Sequence, residues 1–301
     1  MAEDDARRRE LIDARLAALV PEQAGAAGRL TAAARYALLA PGKRLRPLLA
    51  MSAAEQWGGD PEAALDPGCA IEMVHAASLI LDDLPSMDDG RLRRGSPTTH
   101  RVFGEGLAVL AAVALLSRAF AVLSETVRIA PAARLRLVSG LGGAVGFDGL
   151  TVGQTLDLYE RDDGADEALL TQLNHQKTGV LFELAAEAGA LAAGAADGEG
   201  ERARRFGEHL GAAFQLRDDL LDLEGDAASL GKDVGQDGDK PTVARLLGPA
   251  GARSRLQAEL EAALDAVGRS GPLAGVALQA VGAAVGPAGP RPPAGGADAL
   301  Y

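Results

Sequence analysis

The chain reads as an all-α protein, and three observations carry that reading. Ala and Leu dominate a composition that is 48% hydrophobic and only 3% aromatic, and such residues favour helix over sheet. Apolar side chains recur at three-to-four spacing along most of the 301 residues, the period of an amphipathic helix. No stretch shows sustained two-residue alternation bounded by hairpin turns, so strands are expected to be absent or minor.

The elements follow in order. Leu11, Ile12, Leu16 and Leu19 define a first helix. Leu30, Tyr36 and Leu38 belong to a second, which stops near Pro41-Gly42 because the residue before a proline avoids the helical region. Further helices are predicted over 46–57, 61–84, 105–127, 132–159, 166–193, 199–223 and 252–267. Met87 to Thr98, Arg161 to Asp166 and Glu224 to Pro241 read as loops, the last rich in Gly, Asp and Lys and suited to folding over an anion. The most apolar run, Leu107 to Leu123, is broken by Arg118 and is taken as too short to span a bilayer, hence a buried core helix. Residues 1–285 are expected to form one helical bundle, a single domain around a central apolar cavity, and 286–301 a disordered tail dense in Gly and Pro.

Charge narrows the function classes. A net charge of -12 argues against a general nucleic-acid or anionic-membrane binder, since either needs a broad basic surface. The cations are nevertheless clustered, with Lys43, Arg44 and Arg46 in one group and Arg91, Arg93, Arg94 and Arg101 in another. In an acidic protein such groups read as specific anion sites. One cysteine, Cys69, excludes a disulfide framework and a cysteine-based zinc site. Met1 to Glu10 is charged and lacks the apolar core of a signal peptide, so a cytoplasmic compartment is expected.

Two acidic segments carry the chemistry. Asp82-Asp83-Leu84-Pro85-Ser86-Met87-Asp88 and Asp218-Asp219-Leu220-Leu221-Asp222 each follow an apolar, helix-like run. Carboxylates crowded on one helical surface repel one another, so a counterion is implied. Hard oxygen ligands suit Mg²⁺, which takes one or two carboxylates plus substrate phosphates. Asp218 and Asp222 stack on one face at a spacing of four. Pro85 ends or bends the first helix just after Asp83 and lets Asp88 swing back toward Asp82. The bland alternatives are a solvated acidic stripe and an ordinary acidic helix end. The first is disfavoured by the flanking Phe214, Leu216, Leu220, Leu221 and Leu223, and the second opposes the helix dipole. Arg93 and Arg94 suit bidentate phosphate binding, or else simply neutralise Asp88 and Asp89. The cluster Lys43 to Arg46 lies at a helix start, where free N–H groups also favour anions. His75, seven residues before Asp82, reads equally as a core residue or a ligand.

These segments resemble the motifs of trans-isoprenyl (polyprenyl) diphosphate synthases. Glu72-Met73-Val74-His75 through Asp82-Asp83-x4-Asp88 and Leu92-Arg93-Arg94-Gly95 is similar to the family's first aspartate-rich region, and Phe214-Gln215-x2-Asp218-Asp219-x2-Asp222 to its second. Gly42-Lys43-Arg44, Gly153-Gln154-x2-Asp157, Lys177-Thr178-Gly179 and Gly231-Lys232-Asp233 match the other family motifs in order, over about Arg29 to Gly248. The resemblance implies a helical bundle with the acidic motifs at the mouth of its cavity and Mg²⁺-dependent condensation of isopentenyl diphosphate with dimethylallyl, geranyl or farnesyl diphosphate, without nucleic acid or a transmembrane segment, in a homodimer. The catalytic set implied is Asp82, Asp83, Asp88, Asp218, Asp219, Asp222 and Lys177. Asp82, Asp88 and Asp218 would bind Mg²⁺, with Asp83 and Asp222 supporting. Arg93, Lys177, Thr178, Gln215, Lys232 and Lys240 would hold the allylic diphosphate, and Lys43, Arg46, His75 and Arg94 the isopentenyl diphosphate.

Chain length is read one step further along the same helix. Ala77 lies five residues before Asp82, about 7.5 Å down the axis at 1.5 Å per residue. In the family a bulky aromatic there or beside it closes the pocket at fifteen carbons. Ala77 and Ser78 are both small, so a twenty-carbon product is expected, as in bacterial geranylgeranyl diphosphate synthases of carotenoid pathways. Their small size also fits plain close helix packing. The chain departs from many relatives at Ala112-Val113, where they carry Gly-Asp, which is expected to remove a polar contact from a buried helix; the region after Gly248 matches poorly. The competing readings are a farnesyl or longer-chain synthase, a terpene cyclase (which would carry an Asn/Ser/Glu second motif) and a non-catalytic regulatory subunit.

Overall fold

The computed structural model describes residues 2–162, 164–224 and 240–282. Its centre is made by helices that are apolar on nearly every side. These are α3 (Leu45–Gln56) and α4 (Leu65–Asp82), the latter entered through a 3₁₀ turn at Pro61–Ala64, and α10 (Val180–Ala192). A helix apolar all round must be enclosed, and these three pack on one another. Around them lie α1 (Ala2–Leu19), α2 (Gly25–Leu38), α6 (Glu105–Glu125), α7 (Pro131–Val145) and α11 (Asp197–Leu223). A two-residue hairpin, β1 (Leu92–Arg93) with β2 (Ser96–Pro97), and the short α5 (Thr99–Phe103) connect α4 to α6. The all-α expectation is met, with this hairpin as the minor strand content among the described residues.

Cations cap and clamp the outer helices. Arg35 donates to the carbonyl oxygens of Ala17 and Val20, and Arg118 to that of Leu19, so the C-terminal end of α1 is met by positive charge. Arg15 grips Asp66 through two hydrogen bonds, 2.6 and 2.9 Å, tying α1 to α4.

The structure divides two predicted helices and lengthens a third. The run 132–159 breaks between α7 and α8 (Leu150–Tyr159) at Gly146 to Gly149, where two glycines in four residues weaken the helix. The run 166–193 contains a π-helical turn, His175–Gly179, between α9 (Glu167–Asn174) and α10. The last run starts earlier than 252, as α12 (Val243–Val267), capped by the Thr242 side chain and kinked at Gly248 before Pro249. A further helix, α13 (Pro272–Val281), packs on α3 and was not anticipated.

Helix α6 corrects two expectations. It is 21 residues long and, like Pro61–Asp82, long and apolar enough to cross a membrane by length and composition. It is also only half enclosed. Ala108, Ala111, Ala112, Leu115, Ala119, Val122 and Leu123 face the bundle, whereas Val109, Leu110 and Val113 face outward. Val113 is 53% exposed, so the departure at this position alters the surface and not a buried polar contact. The tail and Lys232 lie outside the described residues.

Candidate active site

The first acidic segment folds as Pro85 dictates. Helix α4 ends at Asp82, and the chain turns back until the Asp88 N–H donates to the Asp82 carbonyl oxygen at 2.9 Å. The same turn separates the two adjacent aspartates. Asp83 is 3% exposed and is gripped by Arg93, Nη2 to Oδ1 at 2.5 Å with Nε at 3.1 Å. Arg93 therefore pairs directly with Asp83, and the charges of Asp82 and Asp88 also favour its cationic form. Asp82 points elsewhere, toward Lys177 and Asp88. Burial pushes its carboxyl up to about 6, with the Lys177 charge opposing that rise and the Asp88 charge adding to it.

A glycine brings Lys177 into this region. A Cβ on Gly153 of α8 would lie 2.7 Å from the Lys177 nitrogen, so only glycine lets α8 rest on the π turn. One turn along α8, Asp157 takes Lys177 Nζ on Oδ2 at 2.5 Å and Arg161 on Oδ1 at 2.5 Å. Two cations on one carboxylate hold Asp157 down at about 2 in spite of its burial. The π turn thus sets Lys177 against Asp157, and such turns are frequent at functional sites.

The second acidic segment lies on α11, and α10 packs against both α4 and α11. Thr178 of the π turn donates to Gln215 Oε1 at 3.0 Å, and Gln215 Nε2 donates to Asp219 Oδ1 at 2.8 Å. Asp218 receives Arg217 at 2.8 Å. Asp219 is buried and its carboxyl is pushed up to about 6 by desolvation, against the Gln215 hydrogen bond and the Arg161 charge. Asp222, exposed at the same end of α11, adds to that rise. Lys240 Nζ stands 3.6 Å from Asp88 Oδ1.

A cavity of about 330 Å³ opens between α2, α4 and the hairpin, lined among others by Tyr36, Leu39, Arg44, Glu72, His75 and Arg94. Arg44 is buried against Glu72 at 3.4 Å and Asp13 at 2.7 Å. Desolvation and the charges of Arg46 and Arg94 hold His75 well below its usual range, so its imidazole is neutral. Arg46 is buried over the Phe182 ring, 5.2 Å from its centre, and desolvation lowers it to about 10. Lys43 lies over Phe214 at 5.4 Å, and desolvation with the Arg217 charge lowers it too. Arg44, Asp89 and Arg94 are the three non-glycine residues with positive φ among those described, and all three flank this region. Strain of that kind gathers at functional sites.

Among the described residues no three His, Cys, Asp or Glu side chains are gathered closely enough to hold an ion. Asp82, Asp88 and Asp218 stand instead beside Lys177, Lys240 and Arg217. The donor set still fits a hard cation. Asp88 Oδ1 and Asp219 Oδ2 are buried with no hydrogen-bond partner, and two carboxyls here are raised by burial. Added positive charge would relieve both conditions.

Ala77 is fully buried, and Ser78 turns its hydroxyl onto the His75 carbonyl oxygen at 2.9 Å. The cavity lies along the His75, Ala76, Leu79 and Ile80 side of α4. Sequence reasoning gave no role to Glu72, Asp157 or Arg161. The signals were present: a lone glutamate inside an apolar run, and an Asp–Arg pair at i, i+4.

The polyprenyl synthetase family model matches residues 28–264. A geranylgeranyl diphosphate synthase of Pantoea ananas is 45% identical over 256 residues, covering 84% of this chain and 83% of that one. A farnesyl diphosphate synthase of Geobacillus stearothermophilus is 44% identical over 239 residues, covering 78% and 80%. Among solved structures, an FPP/GFPP synthase from Zymomonas mobilis superposes with a TM-score of 0.82 at 37% identity, covering 93% of this chain and all of that one. With its two acidic segments on helices that both pack against α10, and with the family model matched over most of its length, this chain belongs to the polyprenyl synthetase family.

Proposed function

We propose that the protein is a prenyltransferase that condenses isopentenyl diphosphate head-to-tail (1′-4) with allylic diphosphates, making geranylgeranyl diphosphate for terpenoid or carotenoid synthesis in the cytoplasm. The observation that carries the reading is the convergence of Asp82, Asp88, Lys177 and Lys240 beside the Thr178–Gln215 pair. Acidic and basic groups interleaved in this way suit a diphosphate bound through a divalent cation. Asp82, Asp88 and Asp218 would hold Mg²⁺, with Asp222 nearby. Asp83 is committed to Arg93 and serves to place that guanidinium. Magnesium, when bound, offsets the charge of the departing diphosphate.

Lys177, Thr178, Gln215, Arg93 and Lys240 bind the allylic diphosphate, whose C1–O bond breaks with the electron pair leaving on pyrophosphate. Lys43, Arg46, Arg94 and neutral His75 bind isopentenyl diphosphate, whose double bond attacks the allylic C1. The proton then lost goes to the released pyrophosphate, because His75, held so far below its usual range, is a weak base. The apolar faces of α4 and α10 exclude water from the cation. A homodimer is proposed, with the outward stripe of α6 as the contact.

The farnesyl product is the second reading, favoured by the similarity to a farnesyl diphosphate synthase. Incubation with isopentenyl diphosphate, each allylic primer and Mg²⁺, followed by product sizing, tests both. A twenty-carbon product is expected; no product with any primer would sink the assignment.

A further inference from the structure

Arg161, just past the end of α8, joins groups that the acidic motifs leave apart. Its Nη1 donates to Asp157 Oδ1 at 2.5 Å, while Lys177 Nζ holds the other oxygen at 2.5 Å. Its Nε donates to the Pro241 carbonyl oxygen at 2.8 Å. Its charge also favours the ionised form of Asp219. Pro241 directly follows Lys240, whose Nζ is 3.6 Å from Asp88. One guanidinium thus touches both the partner of Lys177 and the backbone beside Lys240.

We propose that Arg161 is a positioning residue that readies Lys177 and Lys240 together for a diphosphate, without touching the ligand. The inference rests on the diphosphate reading of those two lysines given above. A half-buried ammonium paired alone with Asp157 would be held back by the carboxylate it must leave. With Arg161 on Oδ1, Asp157 stays neutralised when Lys177 turns to an anion. The second donor fixes the chain just before α12, whose first turn is capped by Thr242, and so fixes where Lys240 starts. Only a planar fork with donors in set directions spans a carboxylate and a carbonyl at once; a lysine ammonium is a point charge and does not.

The test is calorimetric titration of Mg²⁺ and inorganic pyrophosphate into wild type, R161Q, R161K, K240Q and R161Q/K240Q. R161Q should bind pyrophosphate about tenfold more weakly, the scale of one lost hydrogen bond to a charged group. R161K should fall between R161Q and wild type. Because Arg161 acts partly through Lys240, the double variant should lose less than the product of the two single losses. A purely structural role would lower the melting temperature while leaving the affinity of the folded protein intact and the losses multiplicative. Unchanged affinity in R161Q, or strict multiplicativity, overturns the proposal. Should R161Q fail to fold, wild-type affinity in R161K does the same. A wild type that elongates prenyl chains while R161Q binds normally refutes this inference alone. A wild type that neither makes product nor binds pyrophosphate refutes the reading beneath it.

Discussion

Asp219 and Asp157 are buried carboxyls and Asp82 a half-buried one, yet their proton affinities move in opposite directions. Asp82 and Asp219 are pushed up to about 6 by desolvation, whereas Asp157 is held at about 2 by Lys177 and Arg161. Between the ordinary value of 3.8 and about 6 the folded chain holds protons on Asp82 and Asp219 that the unfolded chain has lost. Their contribution therefore favours the fold at low pH and is lost as pH rises through 6. Asp157 does the reverse, stabilising above 3.8 and losing that effect as pH falls toward 2. D219N keeps an acceptor for Gln215 and removes the buried charge. In metal-free protein it should raise the melting temperature at pH 8, by an amount corresponding to roughly 1–3 kcal/mol, and the gain should vanish by pH 4. Equal effects at both pH values would contradict the burial argument. Mg²⁺ competes with the same protons, so it should raise the melting temperature of wild type more at pH 8 than at pH 5. The aspartates, Lys177 and the arginines were legible because their residue types name their chemistry. Their pairing was not: which oxygen of Asp83 meets Arg93 depends on how the hairpin folds back on the end of α4, and Asp157 shares two cations only once α8 docks on the π turn.

At the scale of elements, the site is positioned by close backbone contact. A Cβ on Gly211 of α11 would lie 2.9 Å from Gly179 Cα, where no flexible side chain is available to give way. That contact is what lets Thr178 and Gln215 meet at 3.0 Å. Gly211→Ala should cost about 1–3 kcal/mol from overpacking and should raise the KM for the allylic substrate while leaving that for isopentenyl diphosphate unchanged. Steady-state kinetics with each substrate varied in turn separates these, and equal rises in both would show a general loosening. Helix α4 offers a second case. Ala77 is fully enclosed and sits below Asp82, so Ala77→Phe should shorten the product toward fifteen carbons on chromatography, with some loss of stability. An unchanged product would place the floor elsewhere. Three-to-four periodicity gave these helices but not their breaks. The π turn leaves the apolar period nearly intact, and the Gly146 to Gly149 gap looks like any glycine-tolerant helix until α7 and α8 take different neighbours.

The whole molecule carries a net charge of -12, so copies of it repel unless an uncharged surface brings them together. Helix α6 presents such a surface. Leu110 is 56% exposed, and Val109 and Val113 stand beside it at one and three residues, so the three form a single outward apolar stripe. The opposite face of the same helix is enclosed by α4 and α2. The sequence shows only that the helix is apolar. The division into an inner and an outer face appears once neighbours are assigned, because Ala, Leu and Val read alike on both faces. A second copy placed against the stripe would remove it from water, and each apolar side chain so covered contributes on the order of 1 kcal/mol. Leu110→Glu sets a carboxylate in the middle of the stripe, where pairing of identical faces would bring two like charges together without a partner. The wild type should elute from gel filtration with a light-scattering mass near twice that of the chain, and L110E with the mass of one chain. Leu110 lies away from the groups around Lys177, so the folded variant should retain its thermal transition within a few degrees. An L110E protein that keeps the wild-type mass, or a wild type that is monomeric at every concentration, would rule out this face as the contact. A stripe that instead seats on lipid would show itself as a monomer that floats with vesicles, and L110E would abolish that as well.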